Sequence, residues 1–220
     1  MRNPHREDGA PRVIFRGRRF EVALVLVTGA GFLVFSLSFI YIATASLFWL
    51  VYVLARHRWD HDVFVRWGFR REGFLPALRL SLPYLGVAVA ACVLFGILSS
   101  RALVNLHLPL LLLIYPAWGV VQQFLIVALI GENMIALSGG RIRERQAVVI
   151  TALLFAALHI PELLLVPATF LLGLLTTSVY FRTKNLWVPG IVHGWFASVY
   201  YFMVMGEDPW AELVSAAFWM

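Results

Sequence analysis

The chain has 220 residues, 61% of them hydrophobic and 14% charged, with a formal net charge of +6 and a mean hydropathy of +0.81. That apolar excess excludes an ordinary soluble domain, and the apolar runs are too long for barrel strands, so an all-α, polytopic helical membrane bundle is expected. All 18 basic residues fall outside the long apolar runs, where they signal topology, and no nucleic-acid partner is expected.

Residues 1–20 carry six arginines and read as a basic, mobile cytoplasmic arm. No charge then appears from Val22 to Ala55. As one helix this run would extend about 50 Å, well past a ~30 Å hydrocarbon core, so it is expected to fold back. The expected spans are 21–38 and 41–56, with Ser36, Ser38 and Thr44 around the turn. Ala43-Thr44-Ala45 resembles a signal-peptidase site, but the uncharged run before it is longer than a signal h-region, and cleavage is not expected. Residues 56–79 mix six arginines with Trp59, Phe64, Trp67, Phe69 and Phe74, which suits a cytoplasmic loop at headgroup level.

A third span is expected from Leu80 to Leu98, carrying the lone cysteine, Cys92, so no disulfide or cysteine-based metal site is available. A loop with Arg101, Asn105 and His107 leads to a fourth span, Pro109 to Leu137, and the basic loop Gly139–Arg145 follows. The fifth span, Ala147 to Val166, contains His159, Pro161 and Glu162. The sixth runs from Ala168 to Phe181 and the seventh, with His193, from Leu186 to Met205. Residues 206–220 form a short acidic tail on the non-cytoplasmic side. With about seven spans and the N-terminus inside, the cytoplasmic segments hold six, six, three and two basic residues, leaving Arg101 alone outside. One membrane domain, 21–205, is expected.

An ionisable group at bilayer depth costs roughly 2.5 to 3.5 kcal/mol on insertion scales and usually faces a protein cavity. His159 and His193 are two such groups, and Gln122 and Gln123 bring amides to similar depth. The rise per residue allows all of them to converge on a cavity open to the cytoplasm. Helical spacing puts Gln122 and Asn133 on one polar stripe and turns Glu132 towards the cytoplasmic headgroups. At i and i+3, His159 and Glu162 are neighbours on a helix unless Pro161 kinks the turn, so Glu162 is a candidate general base or a partner that orients His159; the alternative is that Glu162 sits at the outer interface and contacts water. Two histidines and a carboxylate also raise zinc, with His159 and His193 as the ligands, although no His-Glu-x-x-His is present and no cofactor is the leading expectation. The alternative for the histidine pair is an interhelical hydrogen-bond network.

Phe155-Ala-Ala-Leu-His159, the Gln122-Gln123 pair and His193-Gly-Trp-Phe-Ala197 together resemble the CAAX protease and bacteriocin-processing family of intramembrane proteases, also called Abi. The context His159-Ile-Pro161, Gly173, Tyr180–Trp187 and Trp67-Gly68-Phe69-Arg70 is also similar, so the likeness covers about residues 60–200. The family's Glu-Glu-x-x-x-Arg corresponds to Gln122, Gln123 and Val127, and its final Asn to Ala197. The resemblance implies a multi-pass protein, expected in a bacterial plasma membrane, whose activity is endopeptidase cleavage of a membrane-associated protein or peptide. It also implies that His159 and His193 hold water or the oxyanion. A glutamate can take a proton and a glutamine cannot, so the Gln-Gln pair raises the alternative of a pseudoprotease that binds a peptide or membrane partner as scaffold or immunity factor.

Overall fold

A computed structural model describes residues 10–35, 39–160 and 162–218. The described residues form helices and turns. Five stretches among them are long and apolar enough to cross a membrane: Ile40–Trp59, Phe74–Leu98, His107–Leu137, Leu165–Thr183 and Trp187–Met205. The chain is therefore an all-α protein of multi-spanning type.

Helices α1 (Ala10–Phe35) and α2 (Phe39–Trp59) fold back on one another as the long charge-free run requires. The expected turn residues Ser36 and Ser38, and Arg2 and Arg6 of the arm, lie outside the described residues. Helix α1 already begins at Ala10, so the stretch from there to Arg19 extends the first helix instead of leading up to it. The two helices meet through Tyr41, whose hydroxyl donates to the Thr28 carbonyl at 2.5 Å, and Trp49, whose Nε1 donates to Thr28 Oγ1 at 3.2 Å. At the other end of the pair Glu21 is buried and joins three elements. It accepts from Tyr52 Oη at 2.8 Å and from Asn133 Nδ2 at 2.7 Å, with Arg56 Nε at 3.6 Å. A carboxylate so placed is tolerable only because it is paired.

A short helix, α3 (Val63–Arg66), precedes α4 (Phe74–Leu98). Not all the aromatics expected at headgroup level are there. Trp67 and Phe69 turn inward onto Phe124, with ring centroids 4.9 Å and 5.6 Å apart, and Phe69 also meets Trp187 at 5.1 Å. The same turn clasps the segment after the sixth expected span. Arg70 Nε donates to the Lys184 carbonyl at 2.7 Å, Asn185 Nδ2 to the Arg70 carbonyl at 2.6 Å, and the Leu186 N–H to the Gly68 carbonyl at 2.9 Å. Gly68 holds φ at 92°, and a Cβ there would lie 2.7 Å from the Tyr180 ring, so only glycine fits. Glu132 joins this clasp through Tyr180 Oη and Lys184 Nζ, the latter at 3.0 Å.

Helix α5 (His107–Gln123) runs without a break into a π-helical stretch, Phe124–Glu132, and then α6 (Asn133–Leu137). Helix α7 (Glu144–Ala157) pairs with α8 (Leu165–Thr183), where Gly173 abuts Ala152. Helix α9 (Trp187–Tyr200) passes into a second π-helical turn, Tyr201–Met205, and α10 (Pro209–Phe218) follows. Helices α5 and α9 approach closely. A Cβ on Gly190 would run into Val120, and one on Gly194 into Pro116. Gly190-x-x-x-Gly194 is the small-residue spacing that lets membrane helices touch backbone to backbone.

The fifth expected span, Ala147 to Val166, does not continue as helix. Helix α7 stops at Ala157, and Leu158, His159 and Ile160 turn back to the carbonyls of Leu154, Ala156 and Ala157. The residue four beyond Ala157 is a proline, which has no N–H to offer that carbonyl; Pro161 itself lies outside the described residues.

At the opposite end from the arginine clasp, Asp208 ties the loop before α5 to the start of α10. Its Oδ2 is 2.6 Å from His107 Nδ1 and accepts from Asn105 Nδ2 at 2.8 Å, while Oδ1 accepts from the Trp210 and Ala211 N–H groups. Burial acts to raise this carboxyl, but the His107, Asn105 and Ala211 hydrogen bonds outweigh it and hold it below its ordinary value. Asp208 followed by Pro209 is a capping residue with proline at the first helical position, so the expected acidic tail begins as a capped helix.

Candidate active site

The four polar residues singled out in the apolar runs fall into two pairs. Gln123 is completely buried at the end of α5, and its Nε2 lies 3.1 Å from Nδ1 of His193 on α9, itself 4% exposed. A carboxamide that donates to Nδ1 leaves the His193 proton on Nε2. Gln123 Oε1 is buried with no protein partner among the described residues. This pair exists because Gly119, Gly190 and Gly194 at the α5–α9 crossing bring the two backbones together.

The second pair, Gln122 and His159, opens onto a cavity of about 120 Å³. That is room for several water molecules, since one needs about 10–15 Å³ by the same measure. Its other walls are mainly apolar and come from three parts of the chain: α1 and α2 (among them Val25, Gly29, Phe32 and Trp49), the α5 and π-helical wall (Trp118 and Ile126), and the end of α7. His159 sits in the turn after α7, with Nδ1 2.9 Å from the Phe155 carbonyl. Phe155 joins the two pairs. Its ring lies edge-on to His159 at 5.0 Å and to His193 at 5.3 Å.

Glu162 is placed differently from the helical expectation. It is in the turn between α7 and α8, where its N–H donates to the His159 carbonyl at 2.9 Å, and its side chain is exposed and absent from the cavity walls. The i to i+3 argument required α7 to continue through it, and the helix ends first. Gln122 and Asn133 also part company. In the π-helical stretch between them each turn takes more residues than 3.6, so Gln122 faces the cavity while Asn133 reaches Glu21. Glu132 lies away from the cavity, in the arginine clasp. Among the described residues no group of three or more His, Cys, Asp or Glu side chains is arranged to hold a metal ion. Val127, which the resemblance sets at the place of the family's arginine, is fully buried among apolar neighbours.

Residues 104–199 match a family model described as Type II CAAX prenyl endopeptidase Rce1-like. That stretch holds both pairs, Phe155, and the Gly190-x-x-x-Gly194 crossing. It contains neither the α1–α2 hairpin nor the Trp67–Arg70 turn. No curated protein and no solved structure matches the chain.

Sequence reasoning missed the hairpin's part in the cavity and the Glu21 junction. Glu21 was nonetheless conspicuous as the acidic residue at the edge of the charge-free run, beside Arg18 and Arg19 and opposite Arg56 once the run folds back. The Gly190-x-x-x-Gly194 spacing was equally readable.

Proposed function

We propose that this protein is an intramembrane endopeptidase of CAAX-protease type, hydrolysing a peptide bond in a membrane-associated protein or peptide. The observation that carries the reading is that Gln122 and His159, from separate segments, open onto one cavity with mainly apolar walls, backed through Phe155 by the His193–Gln123 pair. Such a cavity holds water away from lipid beside groups able to donate and accept protons. The family match over 104–199 supports the reaction class. His159 and Gln122 meet substrate and water; His193 and Gln123 hold the helices and Phe155 in place behind them. No metal is assigned a role.

One observation favours a second reading, that of a pseudoprotease binding a peptide or partner without cutting it: among the described residues no Asp or Glu lines the cavity. The two are separated by comparing membrane-protein termini in cells carrying the wild type and in otherwise identical cells that lack the protein. New termini present only with the wild type are expected. Identical termini would overturn hydrolysis, and the partners that copurify would then define what is bound.

In the bilayer, α1 and α7 join the five long apolar stretches to make seven crossings, with the arginine-rich end and the N-terminus in the cytoplasm. The basic-residue bias supports this orientation.

A further inference from the structure

We infer that His159 is the general base of this hydrolysis, standing in for a carboxylate, and that the Gln122 amide donates to the developing oxyanion. This rests on the peptidase reading. Three observations carry it.

The first is the tautomer of His159. Its Nδ1 is 2.9 Å from the Phe155 carbonyl oxygen, which can only accept, so in the neutral ring Nδ1 carries the proton and Nε2 the lone pair. Among the described residues Nε2 has no hydrogen-bond partner, yet it is not one of the fully buried polar atoms left without one. It is therefore not sealed inside protein, and His159 is one of the residues that line the cavity.

The second is that, among the described residues, the carboxylates near the site are occupied or elsewhere. Glu21 is bound by Tyr52 and Asn133 with Arg56 beside it, Glu132 by Tyr180 and Lys184, and the exposed Glu162 is not a cavity residue. The third is that His193 does not line the cavity, and its Nδ1 is taken by Gln123. That leaves one unprotonated nitrogen positioned to take a proton from water there.

The step balances with water as the only co-reactant. The water oxygen attacks the peptide carbonyl carbon as Nε2 of His159 removes a proton, and the carbonyl oxygen becomes an oxyanion that accepts from the Gln122 N–H. The carbon–nitrogen bond then breaks, its electron pair staying on nitrogen, and the imidazolium returns the proton to that nitrogen. The products are a carboxylic acid and an amine. The Phe155 carbonyl holds the ring throughout, and its hydrogen bond strengthens while the ring is charged.

The test uses the full-length protein in proteoliposomes with a substrate identified from the termini comparison. His159→Asn keeps a donor for the Phe155 carbonyl and removes the base. It is expected to lower kcat by about 10² to 10⁴ and to abolish the rise of kcat with pH that titration of a base produces. Glu162→Gln should retain wild-type kcat and that rise. Added imidazole should restore part of the activity of His159→Ala, which a purely structural loss would not allow. Full activity in His159→Asn, or collapse in Glu162→Gln, would overturn the assignment while leaving the peptidase reading intact. No cleavage by the wild type in the termini comparison would remove both.

Discussion

Gln122 and Gln123 are adjacent in sequence and have different surroundings. Gln122 faces a cavity with room for water, whereas Gln123 has no exposure and is joined to His193. A carboxylate is therefore affordable at the first position and costly at the second, where it would need a charged partner to offset desolvation. With His159 as base and the Gln122 amide as donor to the oxyanion, Gln122→Glu removes that donor and sets a negative charge beside the developing one, so kcat is expected to fall by about 10² to 10³, measured on the same substrate in proteoliposomes. An unchanged or higher rate would show that Gln122 is not the oxyanion donor. Val127 follows the same logic. With no acid beside it, a buried arginine would have been an unpaired charge, and a fully buried valine fills the space.

At the scale of elements, the α5–α9 crossing decides whether a site exists at all. Gly194 touches the backbone at Pro116, so Gly194→Ala forces the two helices apart. Overpacking of this kind costs about 1–3 kcal/mol. A lower thermal unfolding midpoint in detergent is expected, together with lost cleavage, because Gln123 on one helix must reach His193 on the other. An unchanged midpoint would mean that the crossing tolerates a methyl group. The α1–α2 hairpin has a different relation to the site. It lies outside the residues matched to the family and contributes a whole wall of the cavity. The π-helical stretch after Gln123 matters in the same way: it re-aims Asn133 away from Gln122 and towards the hairpin, giving Glu21 its partner on the core.

For the whole molecule, the two ends of the bundle differ in charge. Arg56, Arg70 and Lys184 gather at one end around Glu21, Glu132 and the clasp. His107, Asn105 and Asp208 close the other. With the arginine-rich end in the cytoplasm, cysteines introduced at Asp62 and Gly140 should react with a membrane-impermeant thiol reagent only after the cell is opened, and one at the exposed Val104 should react in intact cells. Labelling of all three from one side would contradict the orientation and the seven-crossing count together.

Composition and charge placement alone determined the helical membrane class and the fold-back of the 22–55 run, and made Gln122, Gln123, His159 and His193 the candidates, because lipid tolerates few polar groups and leaves those few conspicuous. The end of α7 was half legible, since Pro161 announces that the Ala157 carbonyl loses its helical donor. Only the tertiary structure decided how the polar residues pair. Strict 3.6-residue spacing fails across the π-helical stretch and past the end of α7, so the face argument misplaced Asn133 and Glu162. That Gln123 meets His193 depends on the backbone contact at Gly190 and Gly194, and the cavity depends on a hairpin held by Glu21 to Asn133, more than a hundred positions away. Periodicity is a property of one helix, whereas these are distances between helices, set by packing.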